Sequence, residues 1–418
     1  VPSPAGFRRL LAASGASNLA DGVFQVALPL LALGITRDPG AFASVTVVGR
    51  LPWLLFSLPA GALADRLDRR RTMVLVQVLR AALIGGLALV VAAGREELWL
   101  LYVVAFGLGV GETLFDTAAQ SILPAIVRDP GGLARANGRL YAVELTANQF
   151  VGPPLGGLVA GLTLAGALTG SAVAYALAAL GLVGLVGSFR PVREGPRTRL
   201  HADIREGLAH LLRHRVLRTL ALCVGLSNLA GTAQMAVFAL YVVEPGPMGL
   251  SEVGFGLLLT AGAVGSLVAS PLVDRVEARV GRRPALLGCA ALFPVAALVP
   301  AVTAATAPVF AGFVVMGVAS VVWNVITVSL RQRIVPDHLL GRINSGYRLL
   351  AWGTMPVGAA LGGVLGELIG LRGTFAVCAA IGALCIPLLL RNTTDEALGD
   401  SPTPSPVAPT ALGADTGA

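Results

Sequence analysis

The chain has 418 residues, 55% of them hydrophobic and 13% charged, about half the charged share of a soluble domain. Its formal net charge is +8, carried by arginine alone because the sequence contains no lysine. That balance excludes an ordinary soluble enzyme, and at about 20 apolar residues per membrane-crossing helix the chain has material for roughly a dozen spans.

Apolar segments bounded by charges or turn residues fall at Phe7 to Ile35, Phe42 to Ala64, Met73 to Ala93, Leu98 to Leu123, Leu140 to Leu164 and Ala167 to Phe189. A second set follows at Val216 to Val243, Phe255 to Val273, Ala285 to Val302, Val309 to Leu330, Ile343 to Ile369 and Thr374 to Leu390. The fold class expected is therefore an all-α membrane protein with twelve transmembrane helices in two six-helix halves, 1–189 and 216–391. The arginine-rich stretch 190–215 reads as a linker, and its Ile204, Leu208, Leu211 and Leu212 have the spacing of a short interfacial helix. The tail, 392–418, lacks periodicity from Asp395 onward and is expected to be disordered. The first apolar stretch is too long for a cleavable signal peptide and reads as a retained span. The four cysteines, Cys223, Cys289, Cys378 and Cys385, all lie inside apolar runs without metal-ligand or disulfide spacing, so they read as small core residues.

Charge sets the orientation, because basic loops are retained in the cytoplasm. Twenty-five of the 31 arginines lie at the termini or in the loops that follow even-numbered spans. Both termini are thus expected in the cytoplasm.

The halves repeat. SNLADG at Ser17 to Gly22 returns as SNLAGT at Ser227 to Thr232, LADR at Leu63 to Arg66 returns as LVDR at Leu272 to Arg275, and Gly156-Gly157 returns as Gly362-Gly363. Near-constant offsets mark an internal duplication. Six spans per repeat preserve orientation, so the symmetry axis is expected along the membrane normal, with a substrate cavity between the halves.

Between spans two and three lies GALADRLDRRR, Gly61 to Arg71. Together with the repeat, it resembles the signature of the major facilitator superfamily, roughly G-x-L-A-D-R-x-G-R-K. Gly61, Asp65, Arg66, Arg69 and Arg70 match, and Asp68 stands in place of the second glycine. An acid and arginines at the cytoplasmic rim are suited to an ion-pair latch that breaks as the halves rock. VGPPLGG, Val151 to Gly157, resembles the G-P-x-x-G-G element of the superfamily's antiporter branches through Gly152, Pro153, Gly156 and Gly157, with Asn148 replacing an earlier glycine. Proline bends a helix and small residues let another approach, so this element is expected to form a kinked, tightly packed gate. GETLFDTAAQSILPAIV, Gly111 to Val127, followed by ARANG, Ala134 to Gly138, resembles the bacterial subgroup that contains the enterobactin exporter and macrolide efflux proteins, the transmembrane secretion effectors. The likeness runs from Phe7 to Arg391 and implies a monomeric transporter in the bacterial plasma membrane. Other drug–proton antiporters of the superfamily carry an arginine in span four; Leu101 to Gly111 has none, so their proton relay does not carry over.

Charges at membrane depth are functional candidates by default. At about 1.5 Å per residue, Asp21 is about 18 Å from Arg9 and about 24 Å from Arg37 along the helix. Glu112 and Asp116, four residues apart, share a face on which two simultaneous charges repel. Arg50, deep in span two, is expected to pair with Asp21 or with one of these acids. Glu144 and Arg80 are placed nearer water or headgroups. Asp21, Arg50, Glu112, Asp116 and Glu144 make up the candidate proton-coupling set. For the substrate cavity, span one offers Asn18 and Gln25 beside Asp21 at helical spacing, and span five offers Asn148 and Gln149. The second half offers Asn228, Gln234 and Phe238, together with Trp323, Asn324, Tyr347 and Trp352. The acids belong almost wholly to the first half: the position matching Asp21 is Gly231, and that matching Asp116 is Asn324. The first half is expected to carry the proton and the second to supply substrate contacts.

No phosphate-binding G-x-x-x-x-G-K-[ST] loop, intramembrane Ser/His pair or HExxH motif occurs. The expectation is a secondary transporter, not an enzyme, with no cofactor or metal and no nucleic-acid partner. It exchanges protons for a partly apolar drug, natural product or siderophore. The alternative is a facilitative or proton-symporting importer of a small metabolite.

Overall fold

The computed structural model describes residues 4–64, 68–127, 130–185, 189, 200–335, 337–394 and 398. The chain is helical throughout the apolar segments because, in lipid, backbone N–H and C=O groups must be satisfied within the segment. In order, the helices are α1 (Pro4–Ile35), α2 (Pro39–Ala64), α3 (Arg69–Ala92), α4 (Leu98–Ile126), α5 (Pro130–Leu145), α6 (Gly152–Leu162) and α7 (Leu164–Val183). They continue as α8 (Leu200–Arg213), α9 (Arg215–Val242), α10 (Glu252–Ala269), α11 (Val273–Val280), α12 (Arg282–Val302), α13 (Thr306–Ile334), α14 (Asp337–Ala383) and α15 (Cys385–Asn392). Among the described residues, ten helical stretches are long and apolar enough to cross a membrane. Among the described residues, a short 3-10 turn, Ser270–Leu272, separates α10 from α11, and two longer regions are irregular. Span five is broken by a π-helical turn, Thr146–Val151, between α5 and α6, and Leu349–Asn392 runs as one apolar stretch of 44 residues. In the second, Gly370 at φ 73° and ψ 171° turns the chain inside α14.

The bend in span five lies one turn before the site that Pro153 alone suggests. Neither Pro153 nor Pro154 has an N–H to offer the carbonyls four residues earlier, so the preceding turn widens.

Two helical bundles result. In the first, α1 packs on α5, α6 and α7, α2 on α4, and α3 on α4 and α7; in the second, α9 packs on α14, α10 on α13, and α12 on α13 and α14. The bundles meet along two seams, α2 with α14 and α6 with α10. Glycines permit both. A Cβ on Gly157 would lie 3.1 Å from Val253 Cα, and one on Gly363 would lie 2.9 Å from Ala43 Cβ. At the same end of the molecule, Arg37 Nη2 donates to the Glu244 carbonyl at 2.9 Å, so the bundles are drawn together where the α1–α2 and α9–α10 connections lie. Side chains turned away from both bundles are apolar and exposed, with Leu89 at 75% and Leu162 at 81%. Such surface is stable against lipid tails rather than water.

The linker helix departs from expectation. Leu211 is fully buried with Leu217, Ala221, Val335 and Ile343, and Leu208 packs on the same cluster, so the apolar side of α8 covers α9 and α14 rather than facing lipid. His214, between α8 and α9, caps α9 by accepting from Leu217 N at 3.4 Å. Burial and neighbouring His210 hold its imidazole below the ordinary histidine range. Leu398 is also buried in the second bundle, and Arg282 Nη1 donates to its carbonyl at 2.9 Å, so the chain remains attached beyond the expected start of disorder. Residues 399–418 lie outside the described residues, as do 190–199 of the linker. All four cysteines are free and buried.

Candidate functional site

The first bundle is organised around an ion pair. Arg80, 2% exposed, donates through Nη2 to Asp21 Oδ1, and Asp21 is 19% exposed. Tyr175 Oη donates to the same oxygen at 2.5 Å, Arg80 Nη1 reaches Ser17 Oγ at 3.3 Å, and the guanidinium carbon lies 4.3 Å from the Tyr175 ring centroid. Three helices, α1, α3 and α7, thus converge on one carboxylate. Gly111 on α4 makes the room: a Cβ there would lie 2.9 Å from Arg80 Cδ. Glu112 and Asp116 both lie within the electrostatic reach of Arg80, and Asp116 feels Glu112, Asp21 and Glu144 as well. Three carboxylates, Asp21, Glu112 and Asp116, therefore share one buried arginine, and Glu144 adds its charge beside Asp116. Among the described residues, no three His, Cys, Asp or Glu side chains converge closely enough to hold a metal ion.

This corrects two placements. Arg80 is not at the headgroup level but is the partner of Asp21, because α7 brings Tyr175 and α4 brings Gly111 around its long side chain. Arg50 is not that partner; its side chain is exposed. It lies seven residues after Ala43 and four before Leu54, which touch Gly363 and Gly353 of α14 respectively, so it shares the face of α2 turned to the second bundle. Glu144, half-buried, stands with the acids instead of at a simple interface.

The second bundle contains a cavity of about 510 Å³ lined by α9, α12, α13 and α14. Asn228, Gln234, Trp323, Asn324, Tyr347 and Trp352 line it, as the sequence leads one to expect, but every described residue of its wall belongs to one bundle. The first-half candidates lie elsewhere. Asn18 Nδ2 donates within α1 to the Ser14 carbonyl at 3.0 Å, Gln25 Nε2 donates to Asn148 Oδ1 at 2.9 Å, and Gln149 is exposed beside them. Phe238 is a correction: at 1% exposure it is core, packed against Phe313 and Phe375 with ring centroids 5.1 and 6.1 Å away. Arg331, which the charge count assigns to a cytoplasmic loop, lines the cavity. Its guanidinium carbon is 4.0 Å from the Tyr347 ring centroid. The signal for it was helical spacing, since Arg331 lies seven residues after Asn324 on the same face.

The two sites touch. Trp352 of the cavity wall meets Trp53 of α2 edge to face, centroids 4.6 Å apart, and Trp53 Nε1 donates to Glu112 Oε2 at 3.4 Å.

The glycine-proline element packs closely against two helices. A Cβ on Gly152 would lie 2.8 Å from the Gly22 carbonyl carbon, and one on Gly156 would lie 2.8 Å from Val23 O, both on α1. On the other side, Gly157 and Pro153 abut α10. At the rim, Asp68 accepts from Arg71 N at 3.0 Å and caps α3 with an ordinary φ of −67°, so the turn tolerates its replacement of glycine. Arg70 Nη2 donates to the Val183 carbonyl at 2.7 Å, and Arg69 N meets the Phe189 carbonyl at 3.5 Å. Asp65 and Arg66 lie outside the described residues, as do the surroundings of Gly61.

Two packed bundles with buried charge in one, a partly open cavity in the other and an apolar outer surface have the build of a multi-pass membrane protein, and the family that its sequence matches makes it a secondary transporter of a small molecule, not an enzyme. Residues 3–409 match the model of the transmembrane secretion effectors, and the chain belongs to that family of the major facilitator superfamily. It is 30% identical over 405 residues to the multidrug efflux pump Tap of Mycobacterium tuberculosis, covering 92% of each chain. It is likewise 30% identical over 394 residues to Tap of Mycolicibacterium fortuitum, covering 90% of this chain and 91% of that protein. Among solved structures it resembles the nucleoside transporter NupG, with a TM-score of 0.76 at 11% identity over 92% of this chain and 98% of that one. A bacterial homologue of the iron transporter ferroportin in an inward-facing state gives 0.70 at 19% identity, over 92% and 98%. At these identities the likeness to solved structures is one of fold alone. The chain is a multi-pass protein of the bacterial plasma membrane, like its bacterial relatives.

Proposed function

We propose that this protein is a proton-coupled antiporter that exports a partly apolar small molecule by alternating access, with the first bundle carrying the proton and the second holding the substrate. The observation that carries the reading is the Trp53 bridge, which joins Glu112 of the acid cluster to Trp352 of the cavity. Counting α5 with α6 as one span, α10 with α11 as another, and α14 with α15 as two divided at Gly370, the chain has twelve spans in halves of 1–189 and 216–391. Both termini then lie in the cytoplasm, and the seam near Arg37 and Glu244 lies outside. The cavity is therefore open inward. The protein works as a monomer.

Protonation of Asp21 removes the charge that holds Arg80 and Tyr175, and Arg80 is freed toward Glu112 and Asp116. A shift of Glu112 moves Trp53 against Trp352 and changes the wall of the cavity. Substrate entering the cavity presses the same contact the other way, so proton and substrate favour opposite states. The α6 gate, held by Gly152, Gly156 and Gly157, rocks with the bundles. Export as the direction is supported by that gate element and by the efflux pumps among the relatives.

The test is proton movement into liposomes that contain the purified protein and an interior pH dye, with macrolides, siderophores and lipophilic cations supplied under an imposed proton gradient. A compound should trigger proton flux in wild type, and Asp21→Asn should reduce that flux to background while substrate still binds. Compounds that cross only down their own gradients, with Asp21→Asn and the double change Glu112→Gln, Asp116→Asn both without effect, would overturn antiport.

A further inference from the structure

Among the described residues, the cation that lines the cavity of the second bundle has no counter-ion. That cation is Arg331, and its buried Nη1 has no hydrogen-bond partner among the described residues. The two ion pairs formed among those residues belong to Arg80 and Arg282, not to Arg331, and none of the described residues that line the wall is Asp or Glu. Stacking on Tyr347 at 4.0 Å fixes the plane of the guanidinium and leaves its N–H groups pointing along that plane, the geometry that receives a planar or tetrahedral oxyanion. Elsewhere in the same cavity, Gln234 is 1% exposed, and among the described residues neither its Oε1 nor its Nε2 has a partner. Trp323, Trp352 and Phe293 supply flat apolar wall between. The second bundle's own ion pair, Arg282 with Glu277, lies away from this wall.

We infer that the transported compounds are amphiphiles bearing an acidic group, which Arg331 anchors while an aromatic or alicyclic body fills the wall and Gln234 pairs with a polar substituent at depth. This rests on the reading of the second-bundle cavity as the substrate site. An unpaired cation in a low-dielectric cavity selects for an anion, because it raises the local concentration of negative ligands and gains a charge-assisted hydrogen bond. A cationic compound of the same shape meets like charge in the same place.

Three probes of matched shape test this with the purified full chain in scintillation-proximity binding: radiolabelled naphthalene-2-sulfonate, neutral naphthalene-2-sulfonamide and the cation 2-naphthylmethylammonium. Wild type should bind the sulfonate at least about tenfold more tightly than the sulfonamide, the scale of one charge-assisted hydrogen bond, and should bind the ammonium weakest. R331Q should bring the sulfonate down to the sulfonamide while leaving the sulfonamide within about twofold, which also reports that the variant is folded; R331K should retain part of the preference. Equal binding of sulfonate and sulfonamide by wild type, a preference for the ammonium, no saturable sulfonate binding, or an unchanged ratio in R331Q each overturns the inference. Gly231→Phe, which projects into the cavity from a position with nothing within 4 Å of its Cβ, should abolish binding of all three probes. Unchanged binding in that variant overturns the underlying assignment of the cavity instead.

Discussion

The centres of the two bundles are built on one repeated pattern and filled by opposite means. Where SNLADG carries Asp21, three helices close on a carboxylate, an arginine and a tyrosine. Where SNLAGT carries Gly231, the helices leave a cavity of about 510 Å³. The two copies thus keep related helix packing while one holds buried charge and the other, with glycine at the matching position, leaves open space. Because a buried ion pair needs every partner and a cavity needs none, the two centres should respond very differently to substitution.

The largest difference should come from Arg80→Met. It leaves Asp21 buried without its cation, at a cost of about 3–5 kcal/mol, and should lower the thermal unfolding midpoint of the solubilised protein sharply; adding Asp21→Asn should recover part of the loss. Next comes the gate. Gly156→Ala places a methyl 2.8 Å from Val23 O and should cost about 1–3 kcal/mol by overpacking. Gly231→Ala, in open space, should instead stabilise by up to about 1 kcal/mol through helix propensity. If the two alanine variants melt alike, the contrast between a filled and a hollow centre is wrong. Trp53→Phe keeps an edge against Trp352 but removes the N–H to Glu112, a bond worth about 0.5–1.5 kcal/mol. Substrate-driven proton flux should fall a few-fold in the liposome assay, with binding of substrate little changed. The smallest effect lies where α8 is held to the second bundle. The folded-state pKa of His214 is depressed, so its contribution to stability is complete above the unfolded value of 6.5 and is lost as the pH falls through the lower folded value. His214→Asn, which caps a helix without titrating, should flatten the decline in unfolding midpoint across that range.

Much of the site was legible residue by residue. Asp21, Glu112 and Asp116 stood out because carboxylates are rare at membrane depth, and their confinement to the first half was visible in the repeat. Asn228, Gln234, Trp323, Asn324, Tyr347 and Trp352 stood out as polar or aromatic side chains in the half that lacks the buried acids. Phe238 was misleading for a definite reason: an aromatic at helical spacing can point into a cavity or into the aromatic cluster behind it, and hydropathy is the same for both. Arg80 and Arg331 were misread because one-dimensional distance to a loop measures depth along a helix but not the direction of a long side chain.

The sequence by itself determined the membrane as the solvent, the order of apolar segments, the duplication and the family, because these depend on composition, length and spacing along one chain. Only the tertiary structure decided which arginine neutralises Asp21, that the cavity belongs to one bundle, that Trp53 links it to Glu112, and that α8 is covered by protein. Those outcomes depend on helix rotation and on contacts between segments tens to hundreds of residues apart. A helix apolar on most of its surface has little in its own sequence to set that rotation.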